Sequence, residues 1–396
     1  MAMRFAHRME EIRASEIREI LKLTEKPGVI SFAGGLPAAE TFPVAEIGQL
    51  SQEILAREGS RALQYSATEG FAPLRRAIAE RMNRTRGTAV DADEILITSG
   101  SQQGLDMSGK LFLDEGDTVL CESPTYLGAI GAFRPFGPRF VEVPTDDDGM
   151  ITAELDARLT RHGPVKLIYA IPDFQNPSGR SWSAQRRCEF MEVVARHEVP
   201  VIEDAPYAEV RFEKHGLPAL KSIDPMSQVI YLGTFSKVFC PGLRIAWIAA
   251  DPELLRKYVL IKQGTDLHTS TLSQQQVHAY IERFDLDANI ARIRETYRRR
   301  RDVMLAAMDR SFPPGVRYTR PRGGLFLWVE LPEAADAREL LERCLEHDVA
   351  FVPGGSFFPN GGHENTLRLN FSAMPPERIE EGIERRAQVM TSFLKG

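Results

Sequence analysis

The segment "QVIYLGTFSKVFCPGLRIAWIAA" (residues 228–250) contains two short apolar runs that are typical of buried strands, with a lysine between them. Ten residues separate the first run (228–233) from the second (244–250). A parallel connection needs a dozen or more residues, because the chain must return across the sheet. The two runs are therefore predicted to form antiparallel strands, and Lys237 lies in the loop that joins them.

Similar apolar runs precede this pair, and helical patterns lie between several of them. The stretch "SAQRRCEFMEVVARHEV" (183–199), for example, places its apolar residues on one stripe of a helix. Alternation of strands and helices at this spacing predicts an α/β domain with a mostly parallel central sheet. The earlier strand candidates are "EILIT" (94–98), "TVLCE" (118–122), "KLIYAI" (166–171) and "VPVIED" (199–204).

The sequence pattern changes near residue 290. A long basic helical stretch (291–310) leads to two alternating strand patterns, "GGLFLWVEL" (323–331) and "TLRLNFS" (366–372). This predicts a second, smaller α+β domain, which the N-terminal segment joins because it is too short to bury a core alone. The predicted division is a large domain of residues 47–290 and a small domain of residues 1–46 and 291–396.

The composition argues against several classes of protein. The chain has 396 residues, 43% of them hydrophobic, and a formal net charge of −6, which disfavours nucleic acid or an anionic membrane as partner. No segment is apolar enough for a signal-peptide core or a transmembrane span. The four cysteines form no CxxC pair and the eight histidines no HExxH motif, so we expect no disulfide framework, no metal site and a cytoplasmic location.

Polar residues follow directly after four of the predicted strands. In an open α/β sheet, ligands bind beyond the carboxyl ends of the strands. Hydroxyl groups, an amide, a carboxylate, a phenol and a lysine are therefore expected to converge at one edge of the sheet. The segments are "SGSQQGLDM" (99–107), "PDFQNPSG" (172–179), "DAPY" (204–207) and "TFSK" (234–237).

Each of these segments also has a simpler interpretation. The turn "TSGSQQGL" (98–105) opens a helix whose free backbone N–H groups would suit a phosphate, but Ser99 or Ser101 could instead be an ordinary N-cap. Asp204 ends an apolar strand, where it could face a cation or cap a helix. Asn176 could form an Asx turn before a proline.

Lys237 favours the functional interpretation. Only ten of the 49 basic residues are lysine, so arginine is the usual surface cation of this chain. Burying an unpaired ammonium group is costly, but an imine between a lysine and an aldehyde removes the charge, as in lysine adducts of pyridoxal phosphate. Thr234, Ser236 and Arg244 could then bind the phosphate, whereas a surface lysine with its ammonium group in water would leave their proximity unexplained.

Taken together, these motifs resemble a known family. "SGSQQ", "SPTY", "NPSG", "DAPY", "TFSK…PGLR" and "LRLNFS", in this order, resemble the fold-type I pyridoxal-phosphate aminotransferases of class I/II over nearly the whole chain. "FAGGLP", "QYSATEG", "KQGTDLHT", "RYTRPRGGLFLW" and "FVPGGSFF" are similar to the branch of bacterial 2-aminoadipate aminotransferases. The resemblance implies pyridoxal 5'-phosphate as cofactor and a homodimer with shared active sites.

The resemblance also implies a role for each cofactor-site residue. Lys237 would bind the cofactor aldehyde as an imine, and Asp204 would hydrogen-bond the protonated pyridine nitrogen. Tyr207 and Asn176 would contact the 3-oxygen of the ring, and Tyr126, which taken alone could be a core residue, would stack on its face. The phosphate would be held by Ser101, Gln102, Thr234, Ser236 and Arg244, and by Tyr65 of the partner subunit.

The substrate would lie between the cofactor and the C-terminal part of the chain. By resemblance, Arg368 would bind the α-carboxylate, and Gly35 would let the backbone approach the substrate, with Asn176 and Tyr65 nearby. The strand pattern "TLRLNFS" agrees independently, because its apolar residues alternate with Arg368 and leave that side chain to meet either solvent or a cleft.

An amphipathic stretch near the N-terminus could determine substrate choice. In "RASEIREILKL" (13–23), Ser15 is a candidate N-cap and Arg18 lies off the apolar stripe, where it could simply be solvated. The resemblance places both residues at the distal end of the substrate, where Arg18 could pair with the side-chain carboxylate of glutamate or 2-aminoadipate. If the Arg18 side chain swung outward, the site would also admit branched-chain or aromatic substrates.

The resulting hypothesis is a transaminase. It would move the α-amino group of an L-amino acid to a 2-oxo acid such as 2-oxoglutarate by a ping-pong mechanism, with the amine of Lys237 transferring the proton. A lyase or decarboxylase on the same fold is one alternative. The other is a non-catalytic effector domain of a transcription regulator, which we disfavour because only 31 residues precede "FAGGLP".

Overall fold

The computed structural model of the chain describes residues 3–9, 12, 19–20, 28–213 and 216–395. Within these residues the largest element is an eight-stranded sheet, with a separate four-stranded sheet and a two-stranded pair. The strands are β1 (Ile30–Ser31), β2 (Ile95–Thr98), β3 (Thr118–Ser123), β4 (Arg139–Asp146), β5 (Gly149–Met150), β6 (Val165–Ala170), β7 (Val201–Asp204), β8 (Val229–Thr234), β9 (Ala246–Ala249), β10 (Arg317–Tyr318), β11 (Phe326–Glu330), β12 (Val349–Ala350), β13 (Val352–Pro353) and β14 (Thr366–Asn370).

Helices cover the sheets, and five of the eleven α-helices named below begin at a residue whose side chain caps the helix. Ser183, for example, accepts a hydrogen bond from the backbone N–H of Arg186 at 3.2 Å and so starts the predicted helix of the central region. The α-helices are α1 (Val44–Ala62), α2 (Ala72–Arg86), α3 (Ser101–Phe112), α4 (Leu127–Phe133), α5 (Thr152–Arg161), α6 (Ala184–His197), α7 (Pro252–Gln263), α8 (Thr271–Arg283), α9 (Leu286–Ser311), α10 (Ala337–Leu345) and α11 (Pro376–Phe393).

The strand directions in the large sheet bring the predicted polar segments together. The order is β2-β9-β8-β7-β6-β3-β4-β5, and the strands from β8 to β4 along this row are parallel. β9 is antiparallel to both β8 and β2, so β2 runs in the same direction as β8. The carboxyl ends of β2, β3, β6, β7 and β8 therefore lie at one edge of the sheet. This confirms the predicted α/β class and the antiparallel pair β8-β9.

The C-terminal part forms the smaller, antiparallel sheet β10-β11-β14-β13. In β14 both faces are covered, because Leu367 and Leu369 on one side and Arg368 on the other are almost fully buried. The N-terminal segment is joined to this part of the molecule, since Ile30 and Ser31 of β1 pair in parallel with β12.

Two strands of the large sheet, β4 and β5, were not predicted from the sequence. β4 (Arg139–Asp146) has the sequence "RFVEVPTD", in which charged residues and a proline interrupt the apolar run, and most of its residues are only half-buried. It lies between β3 and the short outermost strand β5. The two strands at this end of the sheet therefore lack the apolar runs by which the other strands were recognised in the sequence.

Buried apolar side chains form two packed clusters, the larger of which runs through both sheets. No helix in the described part of the chain is both long and apolar enough to cross a membrane.

Candidate active site

A cleft of about 1300 Å³ opens at the carboxyl edge of the large sheet and is bounded on its other side by residues of the C-terminal part. It brings together nearly all the residues that the sequence predicted for the site. The predicted residues that line it are Gly35, Ser101, Gln102, Tyr126, Asn176, Asp204, Tyr207, Thr234, Ser236, Lys237, Arg244 and Arg368. Ser15 and Arg18 lie outside the described residues.

Lys237 follows β8, and its side chain lies in the cleft. Its Nζ donates a hydrogen bond to the carbonyl oxygen of Gly35 at 3.0 Å. Burial lowers the pKa of the Lys237 amine to about 8, and the nearby guanidinium groups of Arg368 and Arg244 act in the same direction. An amine with a pKa this close to neutrality has a substantial uncharged fraction, which makes it a competent nucleophile and proton acceptor.

Asp204 ends β7 beside β8, because the register of the two strands pairs it with Leu232. Its Oδ2 accepts a hydrogen bond from the hydroxyl group of Tyr169 at 2.7 Å, whereas its buried Oδ1 has no hydrogen-bond partner among the described residues. Burial raises the pKa of the Asp204 carboxyl group to about 6, and the hydrogen bond from Tyr169 opposes this shift. A charged N–H donor at Oδ1 would satisfy the carboxylate.

The N-terminus of α3 and Arg244 form a candidate anion site. Gly100 precedes this helix with a φ of +85°, and a Cβ atom at this position would overlap the guanidinium group of Arg244. The Ser101 hydroxyl is buried and has no partner in the described part of the chain. Gly100 is the N-cap and no side chain caps the helix, so the simple capping interpretation of Ser99 and Ser101 was wrong. Free N–H groups, a hydroxyl and a guanidinium are suited to a phosphate.

Two more hydroxyl groups lie beside this anion site. Thr234 Oγ1 donates to Ser236 Oγ at 3.0 Å and accepts from the Ser236 backbone N–H at 3.1 Å. These bonds hold the start of the loop between β8 and β9, which contains Lys237, in a tight turn. Gln102 lies on the outer side and donates from Nε2 to the carbonyl oxygen of Gly128 at 2.9 Å. The two hydroxyl groups lie at the end of β8 and just before Lys237, so one short segment presents the lysine and both hydroxyl groups to the cleft.

Two tyrosines and an asparagine surround the middle of the cleft. Tyr207 is buried, and burial together with the neighbouring Tyr126 phenol raises the pKa of its hydroxyl group, while Arg368 and a hydrogen bond with Asn176 oppose the shift. The phenol therefore stays protonated and remains a hydrogen-bond donor. Tyr126 lines the same cleft and is only partly buried, so the interpretation of Tyr126 as an ordinary core residue is not favoured.

Arg368 is 1% exposed and points from β14 into the cleft. Its Nη1 donates to Asn176 Oδ1 at 2.8 Å and its Nη2 to the carbonyl oxygen of Ala33 at 2.6 Å, whereas its Nε has no partner among the described residues. The guanidinium carbon lies 4.1 Å from the ring centroid of Phe326. Burial lowers the pKa of Arg368 to about 10, so it is still cationic at neutral pH and would gain from a carboxylate. Asn176 thus faces Arg368, contrary to the simple Asx-turn interpretation.

The sequence did not predict Tyr169 or Phe326 as site residues. Tyr169 lies inside the apolar strand β6, where only its hydroxyl group distinguishes it from its neighbours. That hydroxyl group in an apolar run was the available signal, since a buried phenol needs a partner. Phe326 also limits Gly35, because a Cβ atom there would lie 3.0 Å from Phe326 Cζ. A larger residue at this position would therefore require the Phe326 ring to shift slightly.

Tyr65 is the predicted site residue that the structure does not bring to the cleft of its own chain. Its side chain is 78% exposed, and its ring contacts that of His268 at a centroid distance of 5.8 Å.

Three buried atoms of the cleft are chemically complementary to parts of pyridoxal phosphate and of an amino-acid substrate. Asp204 Oδ1, Ser101 Oγ and Arg368 Nε are buried polar atoms that lack partners within the described chain. A protonated ring nitrogen, a phosphate and a substrate carboxylate are their chemical complements, and Lys237 lies in the same cleft. Together with the α/β architecture, this arrangement defines a pyridoxal-phosphate-dependent enzyme of fold type I.

Comparison with known proteins identifies the family. Residues 27–385 match the family of aminotransferases of class I and II, and the chain belongs to this family. It is 47% identical to the 2-aminoadipate transaminase of Thermus thermophilus, over 97% of this chain and 95% of that protein. It is 44% identical to aromatic-amino-acid aminotransferase 1 of Thermococcus litoralis, over 99% of this chain and 95% of that protein.

A solved structure agrees with this assignment. The alpha-aminoadipate aminotransferase of Thermus thermophilus, complexed with N-(5'-phosphopyridoxyl)-L-leucine, is 45% identical and has a TM-score of 0.93, covering 99% of this chain and 98% of that chain. The predicted activity and cofactor are confirmed: the protein is a pyridoxal-phosphate-dependent aminotransferase that acts on an amino acid and a 2-oxo acid.

Proposed function

We propose that the cleft residues bind the cofactor and the substrate in the roles that the family resemblance implies. The observation that supports this most strongly is that three of the buried polar atoms without partners in the described residues, Asp204 Oδ1, Ser101 Oγ and Arg368 Nε, belong to residues that line the one cleft. Buried polar groups are almost always hydrogen-bonded, so atoms of this kind beside a cleft are suited to groups that arrive with ligands. Their chemistry matches, in turn, a pyridinium N–H, a phosphate and a carboxylate.

Pyridoxal phosphate, when bound, supplies an electron sink that stabilises the negative charge formed when the Cα–H bond of the substrate breaks. Asp204 contributes by facing the ring nitrogen with a carboxylate and so keeping a positive charge there. Tyr169 keeps Asp204 oriented through its hydrogen bond of 2.7 Å to Oδ2, which leaves Oδ1 directed to the ligand. Tyr207 and Asn176 hold the 3-oxygen of the ring, and Tyr126 covers its face.

Lys237 has two tasks in this proposal. Its amine would hold the cofactor covalently through the aldehyde carbon, with loss of water, and in its free form the same amine would accept the Cα proton of the substrate and later donate a proton. A pKa of about 8 in the ligand-free protein suits a group that must both accept and donate a proton near neutral pH. Thr234, Ser236 and Arg244 fix the phosphate close to this lysine.

Arg368 orients the substrate by binding its α-carboxylate through a planar, charge-assisted contact. The Asn176 side chain and the Ala33 carbonyl hold two of its nitrogens, so the guanidinium group is fixed before the substrate arrives. Arg368 and the carbonyl of Gly35, which accepts the hydrogen bond of Lys237, therefore set the direction from which the Cα–H bond faces the amine.

The proposed donors are 2-aminoadipate, glutamate, and branched-chain or aromatic amino acids, with 2-oxoglutarate as acceptor. Relatives named for 2-aminoadipate and aromatic amino acids, at 47% and 44% identity, support this range. The cleft has an apolar wall that includes Leu36, Ile130 and Phe358, which suits uncharged side chains. Ser15 and Arg18, outside the described residues, are proposed to contact the distal end of the substrate.

A homodimer is proposed as the active unit. Tyr65 is 78% exposed on the surface, and the neighbouring Leu63 and the more distant Leu267 are 71% and 52% exposed. Tyr65 contacts His268, the chain neighbour of Leu267, so these side chains lie close together, and a contiguous exposed apolar patch is typical of a surface that another subunit covers. In the dimer, Tyr65 would contact the cofactor phosphate and border the substrate of the partner subunit.

The proposed domain division remains residues 47–290, with 1–46 and 291–396 forming the small domain. The pairing of β1 with β12 supports the inclusion of the N-terminal segment. Both boundaries fall near the N-terminal ends of helices, α1 and α9. The cytoplasmic location stays a prediction from the cysteine pattern of the sequence.

A donor panel tests the proposed substrate range and reaction. The holoenzyme is incubated with 2-aminoadipate, glutamate, leucine, phenylalanine or lysine without acceptor, and pyridoxamine phosphate, 2-oxo acid, ammonia and carbon dioxide are quantified. We expect equal amounts of pyridoxamine phosphate and 2-oxo acid from the acidic, branched-chain and aromatic donors. Release of ammonia or carbon dioxide in their place would contradict the proposal and indicate a lyase or a decarboxylase.

A further inference from the structure

The side chain of Lys262, in the last turn of α7, is fully buried. No other lysine in the described part of the chain is buried to this extent, and Lys262 does not line the active-site cleft. Removing an ammonium group from water is costly unless it is paired and hydrogen-bonded. No step of the transamination described above uses this residue, so the reason for its burial must lie in what it contacts.

Oxygen atoms surround the Lys262 ammonium group. Its Nζ donates to Gln103 Oε1 at 2.9 Å, to Asp266 Oδ1 and Oδ2 at 2.9 and 3.1 Å, and to Thr269 Oγ1 at 3.0 Å. An ammonium group has three N–H donors, so these contacts satisfy it completely. The network connects the end of α7 and the loop after it with the first turn of α3.

The same network holds the turn between β2 and α3 from both sides. Gln103 Oε1, which accepts from Lys262, also accepts from the backbone N–H of Ser99 at 2.8 Å. Asp266 Oδ2 accepts from the Ser99 hydroxyl group at 2.9 Å. The residues between these two anchors include Gly100 and Ser101, which form the proposed phosphate site.

A turn that binds a dianion through backbone N–H groups must point several of these N–H dipoles in the same direction, close to the cation Arg244. Without the dianion these groups repel one another. Gly100, with a φ of +85°, gives the backbone the freedom to adopt this conformation but also the freedom to leave it. Ligand affinity then depends on how firmly the turn is held before the ligand arrives.

We propose that Lys262 is a positioning residue that, with Asp266, fixes the turn of residues 99–103 in its phosphate-binding conformation. This inference rests on the proposed placement of the cofactor phosphate at the N-terminus of α3. Lys262 touches neither the cofactor nor the substrate in this proposal. It acts through Gln103 and Ser99.

The proposal predicts a phosphate-specific defect. Apo-protein of Lys262→Met is titrated with pyridoxal 5'-phosphate and, separately, with pyridoxal, which lacks the phosphate. We expect the dissociation constant of pyridoxal phosphate to rise about tenfold and that of pyridoxal to change less than about twofold. Lys257→Met, which replaces an exposed lysine of the same helix, is the matched control and should leave both constants unchanged.

Two further variants keep the test decisive if Lys262→Met does not fold. Ser99→Ala removes the hydroxyl contacts to Asp266 and Thr269, and Asp266→Asn keeps the shape of the acceptor without its charge. Each should weaken pyridoxal phosphate by about threefold and spare pyridoxal. Equal weakening of both ligands, or no weakening of either, would show that the network serves only the stability of the fold and would overturn the proposal.

Arg244→Ala separates this inference from the placement on which it rests. If Arg244→Ala weakens pyridoxal phosphate and the Lys262, Ser99 and Asp266 variants do not, the positioning role is wrong and the placement stands. If Arg244→Ala also has no effect, the phosphate placement itself is wrong and the positioning role falls with it.

Discussion

Lys237 and Lys262 are both withdrawn from water, but their surroundings are opposite in kind. Lys262 has four oxygen atoms within 3.1 Å, two of them from a carboxylate. Lys237 donates to one described oxygen, the Gly35 carbonyl at 3.0 Å, and has the guanidinium groups of Arg368 and Arg244 nearby. Lys262 is held in place by its partners, whereas Lys237 is left able to exchange partners.

Two carboxylates show the same contrast. Asp173 is fully buried and contacts three guanidinium groups, those of Arg187 at 2.8 Å, Arg86 at 2.6 Å and Arg211 at 3.1 Å. Asp204 is also buried, but one of its oxygens has no described partner. Asp173 and its arginines hold segments of the fold together, whereas Asp204 lines the cleft with one oxygen left for the ligand that we propose binds there. The variants below test this distinction.

Lys237→Ala should have the largest effect. It removes the residue proposed both to attach the cofactor and to carry the proton, so turnover should fall by about 10⁴-fold or more, and the visible absorption of the lysine-bound cofactor should be lost. Single-turnover assays and absorption spectra provide the measurements, with the exposed Lys257→Ala as control. Turnover near the native rate would remove Lys237 from the mechanism.

Asp204→Asn should reduce turnover by about 10³-fold, because it removes the charge that keeps the ring nitrogen positive in a buried site. The cofactor should remain bound, since the phosphate contacts are unchanged. Turnover and cofactor content are measured together, and Asp106→Asn, on the exposed side of α3, serves as control. A variant with full turnover would show that the free oxygen of Asp204 has no catalytic role.

Arg368→Lys should lower kcat/KM for the amino donor by about a hundredfold. Lysine retains the charge but not the planar fork that meets a carboxylate, and it cannot keep the contacts to Asn176 and Ala33. Cofactor affinity should not change. Steady-state kinetics over a range of donor concentrations measure the effect, with Arg256→Lys on the surface as control; unchanged kinetics would exclude Arg368 from carboxylate binding.

Tyr169→Phe should have the smallest effect. The hydroxyl group stabilises the ionised form of Asp204, so its removal raises the pKa of the Asp204 carboxyl group, which is already about 6 in the ligand-free protein. A larger neutral fraction at a given pH should move the acid limb of the pH–rate profile to higher pH and lower turnover at pH 7 by about tenfold. An unmoved acid limb would make Tyr169 a core residue only.

Much of the fold and the site could be predicted because the end of an apolar run in the sequence marks the end of a buried strand. Asp204, Asn176 and Lys237 each follow an apolar run, and parallel strands bring such ends to one edge. The roles of Tyr169 and Lys262 were not predicted, because each depends on a residue that is distant in the sequence. Tyr169 contacts Asp204, 35 residues away, and Lys262 contacts Gln103, 159 residues away. Strand β4 was missed because a half-buried strand near the sheet edge lacks an apolar run.

Identification of the lysine that holds the cofactor tests the central claim most directly. The holoenzyme is reduced with borohydride, digested and analysed by mass spectrometry, which fixes the cofactor covalently to the lysine it occupies. We predict that the phosphopyridoxyl group is recovered on Lys237 and that Lys262 is unmodified. Recovery on Lys262, or on any lysine outside the cleft, would contradict the account.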